Sequence, residues 1–338
     1  MDGLLVVDKP SGPTSHDVVA RVRRVLRERR IGHTGTLDPM ATGVLPLVIG
    51  RATRLARFMS ASDKIYQATI RFGFATDSAD ATGRRLGAPF GGPLPTRDVI
   101  ERALDAFRGT YAQQPPAFSA KKIGGTRSYE LARQAARAAR ALAARPHASE
   151  VPGPPGLLSA PPDLPGPPAA LPDPVRVTAH AIDVVSCTGD TATLRVHCTA
   201  GFYVRSLAHD LGERLGVGAH LTALCRSSAG EFGLEHAITL TALEDDAHGV
   251  ARAHEALVPL ARMLPAFPAC LLTLEGMRRA VRGRDLGPAD FAEPSGRGPG
   301  DRLAGTAHFR LVAPDGALVA VAEVSPTPGL LHPLVVLM

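Results

Sequence analysis

No apolar run reaches the roughly eighteen residues that a membrane-spanning helix needs, so no membrane association is expected. The start, Met1-Asp2-Gly3-Leu4-Leu5-Val6-Val7-Asp8, lacks the basic stretch and small-residue cleavage site of a secretory signal. It reads as a strand, and the expected address is the cytoplasm. Cysteine is scarce: Cys187, Cys198, Cys225 and Cys270 are widely spaced, with no C-x-x-C pair and no Cys/His grouping at zinc-ligand spacing. Neither a disulfide framework nor a metal site is therefore expected.

What is present fits a globular chain of about two domains. Of the 338 residues, 45% are hydrophobic and 21% charged, a mix that can bury a sizeable core. The net charge is +6, and its placement says more than its size. Residues 1–60 hold ten Lys/Arg against five Asp/Glu, which points to a polyanion-facing surface or to a solvated helix face.

Leu4–Val7 is a short apolar run closed by the turn formers Asp8-Lys9-Pro10-Ser11-Gly12-Pro13. Thr14 to Asp17 can cap a helix over Val18–Arg29, where Val18, Val22, Val25 and Leu26 recur at helical spacing. Gly32 to Pro39 reads as a polar loop, and Val44–Ile49 as a buried strand or short helix. In Tyr66–Phe74, Tyr66, Ala68, Ile70 and Phe72 alternate with Gln67, Thr69 and Arg71, the pattern of a strand. Thr96–Phe107 and Tyr203–Leu215 read as helices. Val177–Val185 and Thr191–Cys198 read as strands paired around a turn at Gly189-Asp190.

Residues 135–174 stand apart. Pro146–Pro174 holds 11 prolines in 29 residues, too little apolar surface to offset ordering entropy, and is expected to be a disordered insertion. After a second break near Pro259–Pro268, short apolar runs between Pro, Gly and Asp turns point to a small all-β domain.

An Asp before Pro in a glycine-bearing loop is ordinarily a turn residue. Asp38 has company, however. His33, Asp38, Tyr66, Tyr203 and Arg205 are the polar and aromatic groups bordering apolar segments. A carboxylate facing Arg stays ionised and can act as a nucleophile. A tyrosine offers a face on which an extracted base can stack, and enzymes acting on a base must take it out of the helix stack.

Six ordered blocks carry a resemblance. They are Leu5–Ser15, Gly32–Pro46, Lys64-Ile65-Tyr66, Thr76–Gly83, Gln114–Lys122 with Tyr129–Arg133, and Gly201–Leu207 with Gly218–Leu224. Together they resemble the bacterial tRNA pseudouridine-55 synthase (TruB) family. The resemblance implies an α+β pseudouridine synthase fold, with a central mixed, mainly antiparallel sheet in a catalytic domain over 1–260. It also implies a PUA-like β-barrel for RNA binding over 268–338.

The implied reaction is isomerisation of a uridine in the T-arm loop of tRNA. Asp38, Tyr66 and Arg205 would be catalytic, and His33, Tyr66, Tyr203 and Leu224 would hold the substrate. Lys9, Lys64, Lys121 and Lys122 are candidate RNA contacts or surface charges. Without redox change or net hydrolysis the reaction needs no cofactor, in keeping with the lack of a P-loop or metal motif. The expected partner is tRNA alone, bound by a monomer with no protein partner. Cys225 and Ser228 stand where the family often has arginine. The rival readings are an RNA-guided synthase of the archaeal and eukaryotic kind and a non-catalytic RNA chaperone.

Overall fold

The computed structural model describes residues 1–117, 122–123, 126–127, 172–292 and 307–338. The expectation of a disordered insertion lies, over 135–171, outside the described residues. The chain divides into two compact units, Met1–Ile65 with Cys225–Met338, and Tyr66–Leu224. It passes between them inside two strands, Lys64–Phe72 and Ala219–Ala229. Helices and mixed sheet make it an α+β protein, as expected. No described helix is long and apolar enough to cross a membrane.

In the first unit, strand Gly3–Lys9 lies antiparallel to Thr42–Ile49 and parallel to Ile238–Thr239. Leu4, Leu5, Val6 and Val7 are fully buried, each such side chain contributing about 1.5–3 kcal/mol. Covered on both faces, the run does not alternate. Val44–Ile49, ambiguous from its composition, is a strand because its partners supply a ladder along its length.

The first helix, Ser15–Leu26, opens with a capping box. Thr14 Oγ1 accepts from the Asp17 amide, and Asp17 in turn accepts from the Thr14 amide. It stops three residues before the expected Arg29, because Arg27 adopts the left-handed conformation at φ 51° and turns the chain toward strand Ile31–His33.

Within residues 268–338, strands Ala269–Leu271, His308–Val312, Leu318–Val324 and Leu331–Val336 form a four-stranded sheet. Leu318, Val321, Val335 and Leu337 share a core with Leu4, Val6, Val44 and Val48. Val319, Ala320 and Ala322 pack with Leu272, Phe309 and Leu331 in a second core.

In the second unit the strand order is Ala219–Ala229, Lys64–Phe72, Thr191–Cys198, Val175–Thr188 and Gly109–Gln113. The alternation expected for Tyr66–Phe72 is observed: Tyr66, Ala68, Ile70 and Phe72 are buried, while Gln67 and Arg71 are exposed. The hairpin turns at Gly189 as expected, with Thr188 paired to Thr191.

Candidate active site

In the first unit the chain around Asp38 is fastened at several points. His33 ends the short strand Ile31–His33, opposite Leu47, so the loop begins at Thr34, two residues later than its composition implies. The Thr34 amide donates to Pro46 O at 3.1 Å. Ser15, at the head of the first helix, exchanges two hydrogen bonds with Leu37: the Leu37 amide donates to Oγ at 2.9 Å, and Oγ donates to Leu37 O at 3.1 Å. Asp38 then opens a turn over Pro39, closed by the Ala41 amide on Asp38 O at 3.0 Å. Pro39 at the second position of that turn is there because its φ is pre-set.

Two buried cations hold this segment. Lys9 is 0 % exposed. Its ammonium donates to Pro10 O (2.9 Å), Pro39 O (3.1 Å) and Ala41 O (2.7 Å), which uses all three of its protons. Burial pulls its pKa down to about 8, while the nearby charge of Asp38 opposes that shift. A lysine expected as a candidate RNA contact is thus an internal anchor, with no donor left for a phosphate. Lys64 also turns inward, donating to Ser60 O at 2.7 Å and to Ser62 O. Lys121 and the side chain of Lys122 lie outside the described residues.

The second cation, Arg226, was not singled out in the sequence. It is 1 % exposed and donates to three carbonyls of the segment 35–44. Its signal was faint: an arginine in the inward phase of strand Ala219–Ala229, two residues after the buried Leu224.

His33 stacks edge-to-face on His16, ring centres 5.2 Å apart. Its Nδ1 is buried and has no hydrogen-bond partner among the described residues. Burial first, then the charges of His16 and Arg226, lower its pKa to about 4, so the ring is neutral at physiological pH. The folded state therefore binds fewer protons than the unfolded chain between about pH 6.5 and 4. This contribution is complete above pH 6.5 and declines as the pH falls through that window. His33→Asn is accordingly expected to lose less stability than the wild type between pH 7 and 4.5 in urea unfolding. Equal losses would contradict the assignment.

In the second unit, Tyr66 lies on the buried face of strand Lys64–Phe72, and Leu224 on that of the neighbouring strand. Tyr203 caps helix Val204–Arg214 and is gripped by Gln113, a buried glutamine the sequence did not mark. The Tyr203 amide donates to Gln113 Oε1 at 2.8 Å, and Gln113 Nε2 donates to Tyr203 O at 3.0 Å.

Arg205, in the first turn of that helix, is 5 % exposed. Its Nη1 donates to Ser78 O at 3.3 Å and lies 3.9 Å from Asp80 Oδ2. Asp80, equally buried, is held by Ser78 Oγ (2.7 Å), the Thr82 amide (2.9 Å) and Thr82 Oγ1 (2.6 Å), all on Oδ1. The turn Thr76–Gly83 thus presents a pre-oriented carboxylate to Arg205, so this pair sets one edge of the guanidinium in place. Gly83 is required there, since a Cβ would lie 2.3 Å from Ser78 Oγ.

Comparison with known proteins bears on this arrangement. The family described as "TruB family pseudouridylate synthase (N terminal domain)" matches residues 23–146. The "tRNA pseudouridylate synthase B C-terminal domain" matches 205–267. The chain is 41% identical over 338 residues to a tRNA pseudouridine synthase B of Solibacter usitatus (strain Ellin6076), with 100% of each covered. It is 39% identical over 323 residues to that of Geobacter sulfurreducens, covering 96% of this chain and 93% of the other.

Among solved structures, the fold resembles a chain of an H/ACA RNP bound to a substrate RNA containing 2'-deoxyuridine. The TM-score is 0.67 at 23% identity, over 99% of this chain and 85% of that one. A chain of a Cbf5-Nop10-Gar1 complex gives the same TM-score of 0.67 at 24% identity, again over 99% and 85%. At such identities the likeness concerns the fold.

Proposed function

The chain belongs to the TruB family, enzymes that isomerise uridine in tRNA to pseudouridine, and from that premise we propose that its target is uridine 55 in the T-arm loop. The observation that carries this reading is the full-length relationship at 41% identity, which spans the Asp38 loop, Tyr66 and Arg205 together.

The target base leaves the stack, and unstacking costs a few kcal/mol. Neutral His33, half-buried beside His16, takes space vacated by the loop bases. The uracil is received by Tyr66, Tyr203 and Leu224, which supply flat and apolar surface. Asp38 assists rupture of the N1–C1′ bond, and Arg205 serves the same step, the roles the family resemblance implies for them. The uracil turns while bound, C5 bonds to C1′, the C5 proton leaves with Tyr66 as the acceptor or relay, and N1 gains a proton. Atoms and charge balance within substrate and water, so no cofactor is called for.

Arg24, Arg27 and Arg29 are exposed around a depression lined also by Arg23 and Glu28, which supports attraction of a polyanion to the first unit. The segment 268–338 is read as a PUA-like RNA-binding domain after a catalytic domain over 1–260. The protein is read as a cytoplasmic monomer that needs no protein partner.

The test uses unmodified tRNA transcript carrying tritium at uridine C5, with no guide RNA. Release of tritium by the protein alone is expected, and replacement of uridine 55 by cytidine should abolish the site-specific part. Failure of the bare transcript to react would favour a guide-dependent or non-catalytic protein.

A further inference from the structure

Arg226 is a cation that cannot shed its charge, placed where water does not reach it. Such burial is costly unless every donor direction is used. Here each of the three guanidinium nitrogens is directed at a backbone carbonyl. Nε donates to Val44 O at 2.7 Å, Nη2 to Gly35 O at 3.0 Å, and Nη1 approaches Thr36 O at 3.5 Å. Two of these carbonyls precede Asp38 in the chain and one follows it, so a single planar group ties both limbs of the loop.

The backbone of Arg226 acts on the same segment. Cys225 and Arg226 pair in parallel with Thr42 and Gly43. Gly43 sits at φ +97°, and a Cβ there would fall 2.3 Å from Arg226 O. The close approach of the two chains therefore depends on glycine. Lys9 grips the intervening stretch at Pro39 O and Ala41 O. Segment 35–44 is thus bracketed by two cations, and the Arg226 end carries the directional, forked contacts.

We propose that Arg226 is a positioning residue for catalysis, its guanidinium fork fixing the 35–44 backbone and with it the place of the Asp38 carboxylate. The inference rests on the reading of Asp38 as the catalytic carboxylate. It is distinct from a charge requirement, because lysine would keep the charge and lose the fork. A displacement of about 1 Å in a catalytic group costs on the order of 100-fold in rate.

The experiment compares wild type, Arg226→Lys and Arg226→Ala by tritium release from tRNA, at a temperature where circular dichroism shows each variant folded. Arg226→Lys is expected to lower kcat by about 10- to 100-fold with KM for tRNA within about twofold. Arg226→Ala is expected to recover part of its lost kcat with millimolar guanidinium ion, far below denaturing levels, and none with methylammonium. A wild-type kcat in Arg226→Lys, a change confined to KM, or absence of guanidinium rescue would overturn the proposal. So would a variant folded at no temperature, since Arg226 would then be a folding residue first. An inactive wild type would instead overturn the functional reading itself.

Discussion

Asp38→Asn is expected to reduce tritium release from tRNA by about 10³-fold or more while the variant still binds RNA. The side chain keeps its size, and the turn that begins at residue 38 is closed by the backbone carbonyl, not the carboxylate. The fastenings of the loop, from Ser15, Lys9 and Arg226, all run to main-chain atoms of neighbouring residues. Folding and RNA affinity should therefore survive, and the loss should fall on the chemical step. Single-turnover release, with binding measured separately by filter retention, distinguishes these. Activity within tenfold of wild type would remove Asp38 from the mechanism.

Lys9→Met is expected to lower stability by about 2–4 kcal/mol, the order of the penalty for leaving buried carbonyls unmatched. Methionine fills much of the aliphatic volume but donates nothing to Pro10 O, Pro39 O or Ala41 O. Against a total stability of about 5–15 kcal/mol the change is large.

The lysine also leaves a pH signature. Its folded pKa, about 8, lies below the ordinary 10.5, so between those values the unfolded chain holds the extra proton. Stability from this group rises with pH across that window and is flat below it. The difference between wild type and Lys9→Met should therefore change between pH 7 and pH 10 in urea unfolding. A variant as stable as wild type at pH 7 would show that the carbonyls find other donors. Activity of Lys9→Met should fall less than that of Asp38→Asn at temperatures where both are folded, because the lysine reaches the reaction only through the loop.

Much of this architecture was legible in the residues. The alternation from Tyr66 to Phe72 announced both the strand and its buried face, because a period of two is a property of extended chain beside a core. The capping box at Thr14 and Asp17 is equally local, four consecutive residues satisfying each other's donors. Where neighbours matter more than sequence, local reading weakened. Val44–Ile49 could be strand or helix until its ladder partners were known, and the first helix ended where Arg27 turned left-handed. Asp38 was doubly legible. It is both the turn residue that Asp-Pro implies and the acid of a motif, and the two descriptions coincide because the turn is what holds the acid up.

By itself, then, the sequence determined the α+β class, the family, the elements carrying Asp38, Tyr66, Tyr203 and Arg205, and the reaction implied, while the strand Ala219–Ala229 that carries Leu224 came only with the structure. Only the tertiary structure decided what the cations do. An ammonium suited to a phosphate is equally suited to carbonyls, so composition could not tell that Lys9 faces inward. Arg226 reaches Gly35 across 191 residues of chain, a separation at which no local periodicity leaves a trace. Asp80 and Arg205 meet for the same reason, 125 residues apart in sequence and 3.9 Å apart in space. Asp38, in this fold, is an acid in a loop whose backbone is held on either side of it by two buried cations.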